Sequence, residues 1–139
     1  MTSKGIDIER KLVRKLWEAG YAAIRVPASG AGSSEYPKPD IICGNGKRYM
    51  AFEVKKTKKD ILYINKYDIK SLLMFSEIFG AEPYLAIKFS KDKFIYFLKI
   101  NDLFTTKSEN YKITYEQAIQ KGLTFNMLIN NSIKLEFNW

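Results

Sequence analysis

The 139-residue sequence contains no histidine and a single cysteine, Cys43. Without imidazole, Ser/His and Cys/His nucleophile pairs, histidine general bases and His-ligated zinc motifs are all excluded. One cysteine cannot close an internal disulfide or build a cysteine zinc site, and within the apolar DIIC run it reads as packing. The apolar runs stop well short of the ~20 residues that cross a bilayer, and the N-terminus lacks the apolar segment of a signal peptide. A cytoplasmic protein with no membrane contact is therefore expected. Arginine is also scarce, with 4 arginines against 19 lysines among the 23 basic residues. Arginine is the usual bidentate reader of guanine and lysine acts more as a point charge, so this balance favours phosphate contact over base readout. The chemistry left open is that of carboxylates, lysine and a hard cation held by oxygen.

What is present is a strongly basic chain of ordinary globular composition, 46% hydrophobic and 27% charged with a formal charge of +8. Residues 1–60 carry 13 basic and 7 acidic groups, and residues 61–139 carry 10 and 8, so the excess lies mainly in the first part. A polyanionic partner fits that bias. No repeat or linker divides the chain, and a length of 139 residues suits one domain covering 1–139.

From Gly5 to Ala19, Leu12, Val13, Leu16 and Trp17 recur at helical spacing opposite a charged face, and Gly20 ends the helix. Projected back one turn, the apolar stripe lands on Glu9, an acid on the inward edge. YAAIRV (21–26) reads as a strand and PASGAGSSEYPKP (27–39) as a long loop. DIICG, Asn45-Gly46 and KRYMAFEVKK then form a hairpin. A helix is expected over 66–79, with Ile69, Leu72, Leu73 and Phe79 inward. PYLAIKF and KFIYFLKI follow as strands, the second apolar enough to be buried on both faces. The tail suggests a strand at YKIT, short helices between 115 and 130, and a last strand at IKLEF. The order fits an α/β protein with a mixed sheet carrying packed helices.

The hairpin serves as a ruler. A two-residue Asn45-Gly46 loop sets Asp40 opposite Ala51, with Glu53 on the same face in the diagonal position, roughly 7–8 Å away. Lys55 continues that face, while Ile41, Cys43, Met50, Phe52 and Val54 take the other. A four-residue loop gives the same register; a three-residue loop breaks it. Two carboxylates and a lysine thus converge, and Glu9 can approach from the packed helix. Crowded acids raise one another's pKa unless a cation is present, which points to a bound metal such as Mg²⁺. Plainer readings exist for each residue: a helix N-terminal acid for Glu9, a turn residue for Asp40, an exposed ion pair for Glu53 and Lys55.

Pro39-Asp40 followed by Glu53-Val54-Lys55 matches the PD-(D/E)XK nuclease signature. The wider stretch GIDIERKLVRKLWEAGYAAIRVPASGAGSSEYPKPDII with FEVKK resembles archaeal-type Holliday junction resolvases over roughly residues 4–100. That resemblance implies a restriction-endonuclease-like fold, a central mixed β-sheet flanked by helices. It also implies a homodimer that introduces paired nicks into four-way junction DNA with Mg²⁺, for which Mn²⁺ can substitute. By the same resemblance Asp40 and Glu53 ligate the metal, Glu9 completes the site, the Val54 carbonyl is a further ligand and Lys55 is the catalytic lysine. Ser29 matches a loop serine needed for cleavage, and Arg25 the arginine ahead of the loop. The expected DNA contacts are Lys4, Arg10, Arg25, Ser29, Lys38, Lys56, Lys58 and Lys59. One departure is Asp68, where relatives often carry glutamine. The alternatives are a nuclease of this fold acting on flaps, nicks or duplex, and a non-catalytic junction-binding protein.

Overall fold

A computed structural model describes residues 3–27 and 36–130, with side chains described from Gly5 onward. Ser29, the Lys4 side chain and the IKLEF segment lie outside the described residues.

Helix α1 spans Ser3–Glu18 and ends at Gly20, whose φ of 93° is one that glycine adopts without penalty. It lays Ile8, Leu12 and Leu16 onto the sheet. Trp17, expected inward, is 57% exposed, with its indole Nε1 donating to the carbonyl of Ala23 at 2.9 Å. An aromatic with a polar tip can sit at the rim of the core and keep its N–H bonded, which periodicity alone does not anticipate.

The central sheet has the order β1-β2-β3-β5-β6, formed by Ala22–Arg25, Ile41–Gly44, Tyr49–Thr57, Glu82–Phe89 and Ile95–Leu98. Only β3 and β5 run parallel, so the sheet is mixed as expected. Between them in sequence come β4 (Ile61–Ile64), which the sequence reading missed, and helix α2 (Lys66–Phe79). The Asn65 side chain caps α2 by accepting from the amide of Tyr67, and Gly80 closes it at φ 91°. After β6 come a 3₁₀ turn at Ile100–Asp102, β7 (Phe104–Thr105), β8 (Tyr111–Thr114) and α3 (Tyr115–Lys121). Residues 125–130 are helical. Strands β4, β8 and β7 form a second, antiparallel sheet.

Two cores lie on the two faces of the central sheet. Met50, Phe52, Val54, Tyr84, Ala86, Ile95 and Phe97 join α1 on one face. Leu85, Ile87, Phe89, Tyr96 and Leu98 join Ile69 of α2 and Ile113 of β8 on the other. Strand β6 is buried along its whole length, as its continuous apolar run implies. On α2, Ile69, Leu72 and Ser76 are buried, while Leu73 and Phe79 are 38% and 52% exposed, contrary to the inward positions expected for them. The helix is apolar on more than one side, so spacing could not select the buried side.

The hairpin takes the longer of the two loops that keep Asp40 and Glu53 on one face. Gly44 pairs with Tyr49 and Ile41 with Phe52, so the loop is the four residues 45–48 and the partners are shifted by two. The Asn45 side chain accepts from the amides of Lys47 at 2.9 Å and Arg48 at 2.7 Å, which holds the longer turn. A shift of two preserves the faces. The apolar set Ile41, Cys43, Met50, Phe52 and Val54 is buried together.

Candidate active site

Strand β2 begins at Ile41, opposite Phe52, while β3 continues to Thr57, leaving the last five residues of β3 without a β2 partner on that edge. Asp40 stands at this step. Its amide donates to the Phe52 carbonyl at 2.9 Å, its carbonyl accepts from Val26 at 2.9 Å, and its carboxylate Oδ2 accepts from the amide of Val54 at 2.8 Å. The side chain therefore takes the place of the missing strand acceptor and is held by the backbone it serves. Because a strand residue presents its N–H and C=O to the same edge, the Val54 carbonyl lies on the Asp40 side of β3.

Glu53 and Lys55 project from β3 on the face opposite Phe52 and Val54, toward α2. Glu53 Oε2 lies 3.6 Å from Lys55 Nζ, and the same ammonium donates to Asp68 Oδ2 at 3.0 Å. Asp68 sits in the first turn of α2, so its anion also faces the positive end of that helix. Glu9 stands apart. It comes from α1, on the other face of the sheet, and its Oε1 accepts from Arg25 Nε at 3.0 Å with the carboxylate 16% exposed.

The electrostatics identify Asp40 as the link between the two layers. Its carboxyl is pushed upward by burial, then by the charges of Glu9 and Asp68, against the lowering effect of the Val54 amide and Lys55. Glu53 is pushed up to about 8, first by burial and next by the charge of Asp40, with Lys55 only partly compensating. Burial would lower the Lys55 ammonium, but Glu53, the Asp68 hydrogen bond and Asp40 together outweigh it and raise the pKa. Four carboxylates, Glu9, Asp40, Glu53 and Asp68, thus meet two cations, Lys55 and Arg25. The site is acid-rich in a protein whose formal charge is +8.

Among the described residues, no three acidic or cysteine side chains are gathered tightly enough to cage an ion by themselves. The expected cluster of three acids is instead a pair, Asp40 and Glu53, with Glu9 reaching Asp40 from the far layer while bound to Arg25. A pair of carboxylates with one strand carbonyl still suits Mg²⁺, which keeps several waters and is commonly held by one or two carboxylates plus substrate phosphates. A buried carboxyl raised to about 8 is the local sign that a positive charge is wanted there.

Of the residues expected to meet DNA, Arg10, Lys38, Lys56, Lys58 and Lys59 are exposed, and Arg25 is half-buried against Glu9. Lys56 lies within β3 and not in a loop; only Lys58 and Lys59 occupy the bend that follows. The contact missed at the sequence level is Asp68 to Lys55, which depends on how the start of α2 folds back along β3. The only local cue was an acid in the first turn of a capped helix.

A family model described as archaeal Holliday junction resolvase (Hjc) matches residues 1–136. The chain is 46% identical over 97 residues to the crossover junction endodeoxyribonuclease Hjc of Archaeoglobus fulgidus, covering 70% of each protein. It is 44% identical over 111 residues to the Methanocaldococcus jannaschii protein of the same name, covering 79% of this chain and 75% of that one. The solved structure of the Archaeoglobus fulgidus resolvase superposes with a TM-score of 0.80 at 39% identity, over 90% of this chain and 99% of that one. With its restriction-endonuclease-like fold, this chain belongs to the archaeal Holliday junction resolvase family.

Proposed function

We propose that this protein is a cytoplasmic, structure-selective endodeoxyribonuclease that resolves four-way DNA junctions as a homodimer, with residues 1–139 forming one nuclease domain. The observation that carries this reading is the arrangement at the start of β2, where Asp40, Glu53 and Lys55 sit on one side of an uncovered strand edge in a chain of this family.

In this reading Asp40, Glu53 and the Val54 carbonyl hold a Mg²⁺ ion, with Glu9 completing the site and Mn²⁺ able to substitute. When bound, the ion supplies an activated water and stabilises charge on the phosphodiester. The chain does the rest. The Val54 amide fixes the Asp40 carboxylate, so the ligand needs no reorganisation when substrate arrives. Lys55, held by Asp68, keeps a positive charge at the edge where the scissile phosphate must lie. Arg25 holds Glu9 in place and can also contact phosphate. Exposed Arg10, Lys38, Lys56, Lys58 and Lys59 act as further phosphate contacts, and Lys4 and Ser29 are assigned the same role. Hydrolysis proceeds by direct attack of water, without a covalent enzyme intermediate.

A homodimer gives two equivalent sites for opposed strands of a two-fold junction. Exposed Leu73, Met74, Ile78 and Phe79 on α2 support that state, since monomers seldom leave so much apolar surface in one place. The test is cleavage of a four-way junction against matched linear duplex. Asp40→Asn and Glu53→Gln are expected to abolish cutting and to keep junction binding. Cutting by either variant at the wild-type rate overturns the assignment.

A further inference from the structure

On the flank of α1 away from the candidate active site, a cavity of about 240 Å³ is lined by Lys11, Lys15, Lys93, Phe94, Phe97 and Phe125, together with Ile95. Two positions along a helix correspond to about 200° around its axis, so Lys11 projects away from Glu9, and Lys15 lies one turn further along on the Lys11 side. Lys93 arrives from the bend just before β6 and Phe125 from the helical segment 125–130, far apart in sequence.

The three lysines converge without an acid lining the cavity, and none has a carboxylate partner among the described residues. Aromatic rings hold two of them. The Lys15 ammonium stands 5.2 Å from the centre of the Phe125 ring and the Lys93 ammonium 5.3 Å from that of Phe94. Phe125 is itself fixed against buried Phe97 at 6.2 Å between ring centres. A ring face restrains a lysine while leaving its donors unsatisfied, which lowers the entropy cost of presenting it to an anion. Three clustered cations, two of them held against rings and none facing an acid in the cavity lining, are complementary to a run of phosphates.

We infer that this cluster is a second DNA-backbone site, in which Lys11, Lys15 and Lys93 bind phosphates of a DNA arm passing around α1 from the catalytic edge. The inference rests on the DNA-processing role proposed above. The arm is bound through its charge and not its sequence, as expected for lysine contacts. Each phosphate contact adds about 0.9 to the slope of log affinity against log salt.

The test replaces all three lysines, as Lys11→Gln, Lys15→Gln and Lys93→Gln together. A control with equal charge loss carries Lys99→Gln, Lys107→Gln and Lys121→Gln. Binding of both proteins and of wild type is measured on a four-way junction and on linear duplex over a salt series, and single-turnover cleavage at saturating protein is followed in parallel. The site variant is expected to bind junction roughly 10- to 100-fold more weakly than the control near 0.1 M salt, with its slope lower by about two to three. Its cleavage rate once bound should equal that of wild type. Equal affinity and slope in the two triple variants overturn the second site. If wild type cuts junctions while the two variants behave alike, only this inference falls. If wild type does not cut junctions but the site variant still loses duplex affinity, the phosphate site stands and the proposed activity falls.

Discussion

Replacing Glu53 with glutamine should make the metal-free protein more stable at neutral and alkaline pH. Glu53 is buried, with its side chain 14% exposed, and its pKa is raised from 4.5 to about 8 by that burial and by Asp40. The sign follows from linkage. Between pH 4.5 and about 8 the folded state holds a proton that the unfolded state has released, so stability falls as pH rises through this window. At about 1.4 kcal/mol per pH unit the full interval corresponds to about 5 kcal/mol. Part of this is shared with Asp40, and glutamine loses the 3.6 Å attraction to Lys55. Asp68 keeps Lys55 paired at 3.0 Å, so no bare ammonium is left behind. A net gain of about 2–4 kcal/mol is expected for Glu53→Gln near pH 8.5, shrinking to near zero at pH 4.5. Urea unfolding in EDTA at pH 4.5, 7 and 8.5 measures this. Adding Mg²⁺ should narrow the gap by stabilising wild type alone. A pH-independent difference, or a variant less stable than wild type at pH 8.5, would refute the reasoning.

Four further substitutions, at three positions, probe the frame. Asp40→Ala leaves the Val54 amide without its 2.8 Å acceptor and should cost about 1–3 kcal/mol in chemical denaturation, whereas Asp40→Asn keeps an acceptor oxygen and should cost less. Arg48→Met removes contacts to Glu82, Tyr84 and the Leu128 carbonyl, so the link between the hairpin and segment 125–130 is lost; a drop of about 2–4 kcal/mol is expected by thermal unfolding. Gly80→Ala at φ 91° should lower stability by about 1–2 kcal/mol without changing cleavage once folded.

Much of the site could be read from residues 40–55, because alternation in a strand is local and a buried carboxylate and lysine stand out against it. Asp40, Glu53 and Lys55 share a side of β3, and their apolar neighbours share the other. The loop length could not be read, since Asn45-Gly46 signals both two- and four-residue turns; here the Asn45 side chain selects the longer one. Glu9 was correctly placed on the inward edge of α1, but spacing says nothing about which sheet face the helix covers. It covers the face opposite Glu53, which explains why the acids form a pair with an outlier. Strand β4 escaped because its partner β8 lies some fifty residues on, and four residues after a lysine run carry little periodic signal. The convergence of Lys11, Lys15 and Lys93 is likewise tertiary, assembled from two elements that no local pattern connects.

The most direct measurement is a strand-by-strand nicking assay on a fixed four-way junction, with matched linear duplex as competitor, for wild type and Asp40→Asn. Symmetric nicks in opposed strands, seen with wild type only when Mg²⁺ or Mn²⁺ is added, and a variant that binds the junction without cutting it, are the predicted result. Cleavage by Asp40→Asn, or equal cutting of linear duplex by wild type, would contradict the account.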